Sequence, residues 1–212
     1  MAEVKSNDMK EIRTPSIENY QKILPEKGMT IDKAKSMIDH IFERPFFNDR
    51  TEKTYTTIEE RIKQAGYSDG DWDGKIGDSK FYPNDINAKA DLEKYDQSFI
   101  EYKGGNPDFC KVSEGTVEID NMTSKRPLNF ENADIKCSEL WNMINRDGRN
   151  DWSPREVKKW RQENKYSWHE RIDRKTMDLI PRDIHTECKH FGGVAECIRF
   201  EKENGIEGGF DE

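Results

Sequence analysis

Three of the four histidines in the chain, His169, His185 and His190, fall within one short segment, YSWHERIDRKTMDLIPRDIHTECKHFGG, running from Tyr166 to Gly193. The residues around them restrict the local fold. Tyr166 to His169 reads as one strand and Thr176 to Ile180 as a second, joined by the polar run Arg171-Ile172-Asp173-Arg174-Lys175. Pro181 ends the second strand, and Asp183 is placed to cap a short helix beginning at Ile184. In strand-strand-helix order the end of the first strand faces the helix, so His169 and His185 can reach one ion. Imidazole is the commonest protein ligand for transition metals. Residues five apart on an unbroken helix sit about 140° apart, so His185 and His190 cannot ligate together from one continuous helix. Phe191-Gly192-Gly193 lets the helix stop near Lys189 and His190 fold back.

Charge argues in two directions. A net charge of −8 and a pI of about 5.2 exclude generic polyanion binding, which needs an excess of Lys and Arg. From Arg146 to Lys175, however, ten basic residues face six acidic ones, whereas residues 1–145 hold 21 basic against 28 acidic. A basic stretch in an acidic chain points to nucleic acid more than overall pI does. Hydrophobic residues are 33%, charged residues 37% and mean hydropathy −1.08, so the core is expected to be modest; ten Phe, seven Tyr and five Trp argue against disorder. No apolar run approaches the roughly 18–20 residues of a membrane span. The N-terminus MAEVKSNDMKEIR lacks an apolar signal segment, so no membrane insertion and no classical export signal are expected. Cys110, Cys137, Cys188 and Cys197 form no C-x-x-C pair, which leaves free buried thiols rather than a zinc knuckle.

Helical spacing of Ile31, Ala34, Met37, Ile38 and Ile41, with Thr30 as cap and Pro45 as stop, predicts a first helix, on which His40 is an ordinary residue. Further helices are expected over Thr57 to Ala65, closed by Gly66, and over Asp85 to Phe99. Gly104-Gly105-Asn106-Pro107 reads as a domain boundary. Beyond it, Thr116 to Ile119 alternates like a strand, and Ser153-Pro154-Arg155-Glu156 opens a helix to Asn164 with a capping box. The predicted class is α+β: a mainly helical region over 1–105, a compact domain over 106–198 and an acidic, Gly-containing tail over 199–212. Asp69, Asp71 and Asp73, with Gly74 and Ile76, fit the first half of a calcium loop over 69–80, although its twelfth place is Lys80 instead of Glu, with Asp78 as a partial substitute.

The C-terminal segment resembles the HNH (ββα-metal) nuclease domains of bacterial polymorphic toxins, in the group marked by W-H-H or W-H-E, and is related to colicin-type DNases. Trp168-His169-Glu170, Thr176-Met177, Leu179-Ile180-Pro181, His185 and His190-Phe191-Gly192-Gly193 carry the likeness. Asn106-Pro107-Asp108-Phe109 and Val117-Glu118-Ile119 extend it upstream, so that it covers about residues 106–196. The resemblance implies one divalent cation (zinc, nickel, manganese or magnesium) held by His169, His185 and His190. It also implies Glu170, in a place more often filled by a second histidine, as the base that activates water, although a carboxylate there can also ligate the metal. Asp173 is then expected to orient a ligating imidazole, and Arg171, Arg174 and Lys175 to hold flanking phosphates.

The implied activity is hydrolysis of phosphodiester bonds in nucleic acid, DNA in preference to RNA. By the same resemblance the chain is a bacterial toxin or effector, brought by a secretion-system carrier into the target-cell cytoplasm and neutralised by a cognate immunity protein. Trp168, Met177, Leu179 and Ile180 are expected in the core behind the ligands. Lys158, Lys159, Arg161 and Lys165 read equally as a solvated helix face or as phosphate contacts. Two other functions stay open at this point: a calcium-binding module centred on residues 69–80, and an inactive HNH fold used for protein interaction.

Overall fold

A computed structural model of the chain describes residues 53–206. The expected first helix, with Thr30, Ile31, His40 and Pro45, lies outside the described residues, as do residues 207–212 of the tail. Helix α1 (Ile58–Ala65) opens with a capping box: the Thr57 hydroxyl accepts from the Glu60 amide, and the Glu60 carboxylate accepts from the Thr57 amide. Strands β1 (Gly70–Trp72) and β2 (Lys80–Pro83) follow, then α2 (Ile86–Glu93), capped by the Asp85 carboxylate, then β3 (Ile100–Lys103) and β4 (Asn106–Asp108). The four strands form an antiparallel sheet in chain order.

Three expectations change here. Gly104 and Gly105, with φ of 54° and 80°, make the turn between β3 and β4, so the anticipated boundary falls inside a hairpin. The helix expected from Asp85 to Phe99 stops at Glu93, because Asp96 takes φ 54° and Tyr95 turns its hydroxyl onto Glu114 and Tyr166. The described part of the region expected to be mainly helical thus holds a sheet beside two eight-residue helices.

The second half contains β5 (Thr116–Glu118), α3 (Arg126–Met143), α4 (Pro154–Glu163), β6 (Tyr166–Glu170), β7 (Thr176–Pro181), α5 (Arg182–Glu187) and α6 (Gly193–Glu203). The capping box of Ser153 and Glu156 forms as the sequence predicts. Asp183 does not cap α5; Pro181 occupies that position and Asp183 lies in the first turn. Helix α6 runs through Ile198, where the tail was expected to begin. Strand β7 lies between β5 and β6, antiparallel to both, and all six of its residues are buried. Its alternate side chains enter two cores. Met177 and Leu179 join Trp141, Trp168, Val157 and Cys197, while Ile180 joins Phe81, Tyr102, Phe109 and Ile184.

A buried polar junction ties the first core together. Asp134 of α3 accepts two hydrogen bonds from the Arg161 guanidinium of α4, at 2.8 and 2.9 Å, and one from the Trp168 indole of β6 at 2.9 Å. Arg161 is therefore neither a solvated charge nor a phosphate contact. Replacing Asp134 with Ala leaves a guanidinium and an indole N–H buried without partners, a loss of about 3–5 kcal/mol. Urea denaturation of Asp134→Ala is expected to show a correspondingly lower midpoint; an unchanged midpoint would mean the junction contributes little.

Candidate metal centre

The hairpin of β6 and β7 and the helix after it bring the three histidines together. Successive residues of a strand alternate sides, and the register pairs Trp168 with Leu179 and His169 with Asp178. Trp168 therefore enters the first core, and the imidazole of His169 points to the side of Phe109 and α5. His185 projects from α5. The helix ends at Glu187, and the chain bends at Cys188 so that His190 returns to the same spot. The helix break anticipated from the Gly-Gly sequence is thus present, two residues earlier than expected.

One ligand atom from each histidine lies within 4.8 Å of the others; among the described residues this is the group of His, Cys, Asp or Glu side chains so arranged. Ring centroids are 4.8 Å apart for His169 and His190, and 5.4 Å for the other two pairs. Phe109 lies edge-on to all three, at 4.8, 5.9 and 6.0 Å. The Cys188 carbonyl, 2.6 Å from His190 Nδ1, takes a hydrogen bond from it, and His190 Nε2 then faces His169 Nδ1 at 3.1 Å. Nitrogens bound to one tetrahedral cation at about 2.0–2.1 Å stand about 3.4 Å apart, so small ring rotations convert this arrangement into a ligand set.

Electrostatics fit the same role. Burial pushes His169 well below the usual imidazole range, His185 to about 3 and His190 to about 4, with the neighbouring imidazoles and Arg126 acting in the same direction on His169 and His185. All three rings are neutral at pH 7, the form that binds a cation. Glu170 is buried and leaves the strand on the other face, toward the start of α3. Burial raises its pKa, while Arg126 opposes that shift. Its Oε1 has no hydrogen bond and stands 3.4 Å from Nε of Arg126, a side chain 56% exposed. Sequence reasoning missed Arg126; no spacing relative to the histidines marks it, since α3 delivers it from more than forty residues upstream.

Several expected roles move elsewhere. Arg171 is buried against Asp178, donating from Nε at 2.7 Å and from a terminal nitrogen at 2.8 Å, with the Thr116 hydroxyl on the same carboxylate, so it braces the sheet and does not face phosphates. Asp173 does not touch an imidazole: it accepts from the amides of Lys175 and Thr176 and from the Thr176 hydroxyl, closing the hairpin turn. Arg174 stacks its guanidinium on Phe200 at 4.1 Å, and Lys175 is exposed on the turn. The calcium loop is not built. Gly70–Trp72 is a strand, and the Asp73 and Asp69 carboxylates accept hydrogen bonds from the Lys80 amide and the Asn84 side chain. Among the described residues, Asp69, Asp71 and Asp73 do not belong to the group of side chains whose ligand atoms converge on one point.

Residues 99–192 match the family described as the DNase/tRNase domain of colicin-like bacteriocin. No curated protein matches the chain.

The neutral imidazoles predict how the metal-stripped protein responds to acid. In the unfolded chain histidine binds a proton near pH 6.5. In the folded chain His190 does so only near 4 and His185 near 3. Between those values the unfolded state holds more protons, so stability falls as pH is lowered from about 6.5. Thermal melts in EDTA at about pH 7.5 and pH 5.5 should show a larger loss for the wild type than for a His185→Asn/His190→Asn double variant. Equal losses would mean that these rings are not held neutral.

Proposed function

We propose, from the match of residues 99–192 to the family described as the DNase/tRNase domain of colicin-like bacteriocin, that the chain is a metal-dependent endonuclease of the HNH type. The observation that carries this reading is the convergence of three neutral imidazoles from β6, α5 and the following loop. His169, His185 and His190 hold one divalent cation of the zinc, nickel, manganese or magnesium kind. When bound, it supplies Lewis acidity at the scissile phosphate and its leaving 3′-oxygen.

The chain's own residues supply the rest. Glu170, its carboxylate raised in pKa by burial, takes the proton of the attacking water. Arg126, exposed beside that carboxylate, binds a non-bridging phosphate oxygen and balances the charge that develops there. Lys175, at the surface of the hairpin turn, contacts a flanking phosphate. Asp178, through Arg171, keeps the β6–β7 hairpin in register beneath the ligands.

DNA is the preferred substrate in this reading, and tRNA is the competing one within the family's description. A bacteriocin domain supports a toxin role, with action in the target-cell cytoplasm, a carrier for delivery and an immunity protein for protection. No described helix is long and apolar enough to cross a membrane.

Purified protein incubated with plasmid and with tRNA in Mg²⁺, Mn²⁺, Ni²⁺ or Zn²⁺ is expected to nick plasmid and to stop in EDTA. His169→Ala should abolish cleavage. Glu170→Gln should lower kcat by about 10²–10⁴ with little change in KM. Arg126→Ala should cost about 10²–10³. Cleavage by His169→Ala at the wild-type rate, or undiminished in EDTA, would refute the site; metal binding without cleavage of either substrate would instead indicate an inactive fold used for interaction.

A further inference from the structure

We propose that Glu196 and the strap Tyr55–Thr57 form a brace that positions His190 and Glu170, so that chain lying upstream of the family match keeps the metal centre in shape. This rests on the metal-centre reading above. The link begins where α6 meets β6. Only Phe191 and Gly192 separate His190 from that helix, and its start is pressed onto the end of the strand. A side chain on Gly193 would place its Cβ 2.4 Å from the Arg171 carbonyl oxygen and 3.0 Å from Glu170 Cβ. One on Gly192 would stand 2.8 Å from the Glu170 carbonyl oxygen and 3.4 Å from His190 Nε2. A shift of α6 is therefore also a shift of the His190 loop and of the Glu170 backbone.

What fixes α6 in place is a fully buried carboxylate in its first turn. Glu196 is 0% exposed and accepts from the Tyr55 amide at 2.5 Å, the Thr56 amide at 2.9 Å and the Thr56 hydroxyl. These donors come from a segment about 140 residues away in sequence. The strap is itself anchored. Arg61 donates to the Thr56 carbonyl at 2.6 Å and to the Gly104 carbonyl at 3.1 Å, which ties it to the β3–β4 turn. Arg199 donates to the Tyr55 carbonyl at 2.9 Å and pairs with Glu60. Arg174, on the β6–β7 turn, lies over the Phe200 and Tyr55 rings at 4.1 and 5.2 Å.

Apolar contact alone lets a helix slide along its axis by small amounts. Charge-assisted hydrogen bonds to one carboxylate fix a single register. Glu196 is accordingly a positioning residue: it touches neither cation nor substrate, and it acts through α6.

The test uses the full chain in three variants, Glu196→Gln, Thr56→Val and Val157→Ala, the last removing buried volume in α4, outside both α6 and the strap. At a temperature where far-UV circular dichroism shows every variant folded, the Zn²⁺ dissociation constant is measured by calorimetry. The ring resonances of His190 are recorded by NMR in metal-free protein. Glu196→Gln is expected to weaken Zn²⁺ binding about 10-fold and to shift the His190 signals, as is normal for groups that hold a ligand in place. Thr56→Val should do the same to a smaller extent. Val157→Ala should lower the melting temperature and leave both readouts at wild-type values.

Wild-type affinity and His190 shifts in Glu196→Gln would overturn the proposal and reduce Glu196 to a stabilising residue. If Glu196→Gln does not fold, Thr56→Val is judged by the same two readouts. If the wild type binds no cation, the metal-centre reading falls, and the His190 resonances alone decide whether the brace exists.

Discussion

Strand β6 sends Trp168 into one hydrophobic core and His169 out toward the other, and the pairing of β6 with β7 makes that division unavoidable. A shift of one residue would bury the imidazole among Trp141 and Leu179 and expose the indole, so the hydrophobic pattern fixes the register. The Asp134 carboxylate on the Trp168 indole, and Asp178 opposite His169, hold each face of the hairpin. The position of the first ligand is in this sense a by-product of core packing. The other two histidines are brought to it by a short helix and by the bend that follows.

Burial of charge separates structural from chemical residues in this protein. Arg161 lies on Asp134, Arg171 on Asp178, and Glu196 among strap donors; each is buried and well satisfied. Such groups hold elements together. Glu170 differs, since it is equally buried but has one oxygen without a hydrogen bond and an ion-pair partner, Arg126, that is itself largely exposed. A buried carboxylate so sparsely partnered is less stable as an anion and more ready to accept a proton. The histidines follow the same logic with the opposite sign, kept neutral by burial, with the Phe109 ring against all three.

Much of the centre was legible in the sequence because its signals are local. The strand signals over Tyr166 to His169 and Thr176 to Ile180, the proline stop and the Gly-Gly break all act within a few residues, and the structure follows them to within one or two residues. The same holds for the capping box at Ser153. Roles that depend on distant partners were not legible. Arg171 in a polar turn looks like a phosphate contact until Asp178 is seen across the strand pair. Asp173 looks like a partner for an imidazole until its carboxylate closes its own turn. Helix α3 escaped notice because its buried face mixes Asn129, Asp134 and Ser138 with Ala133, Cys137, Leu140 and Trp141, which erases the apolar period. The small sheet was hidden by strands of three or four residues, too short to show alternation.

The double burial of β7 has a consequence for how the molecule comes apart. Because Met177 and Leu179 complete one core and Ile180 the other, neither half can melt and leave the other intact. Unfolding should be a single event, with the amides of β7 among the last to exchange with solvent. A chain built this way has no half-open form in which the histidine cluster survives without its scaffold, so unfolding of either core removes the chemistry along with the shape.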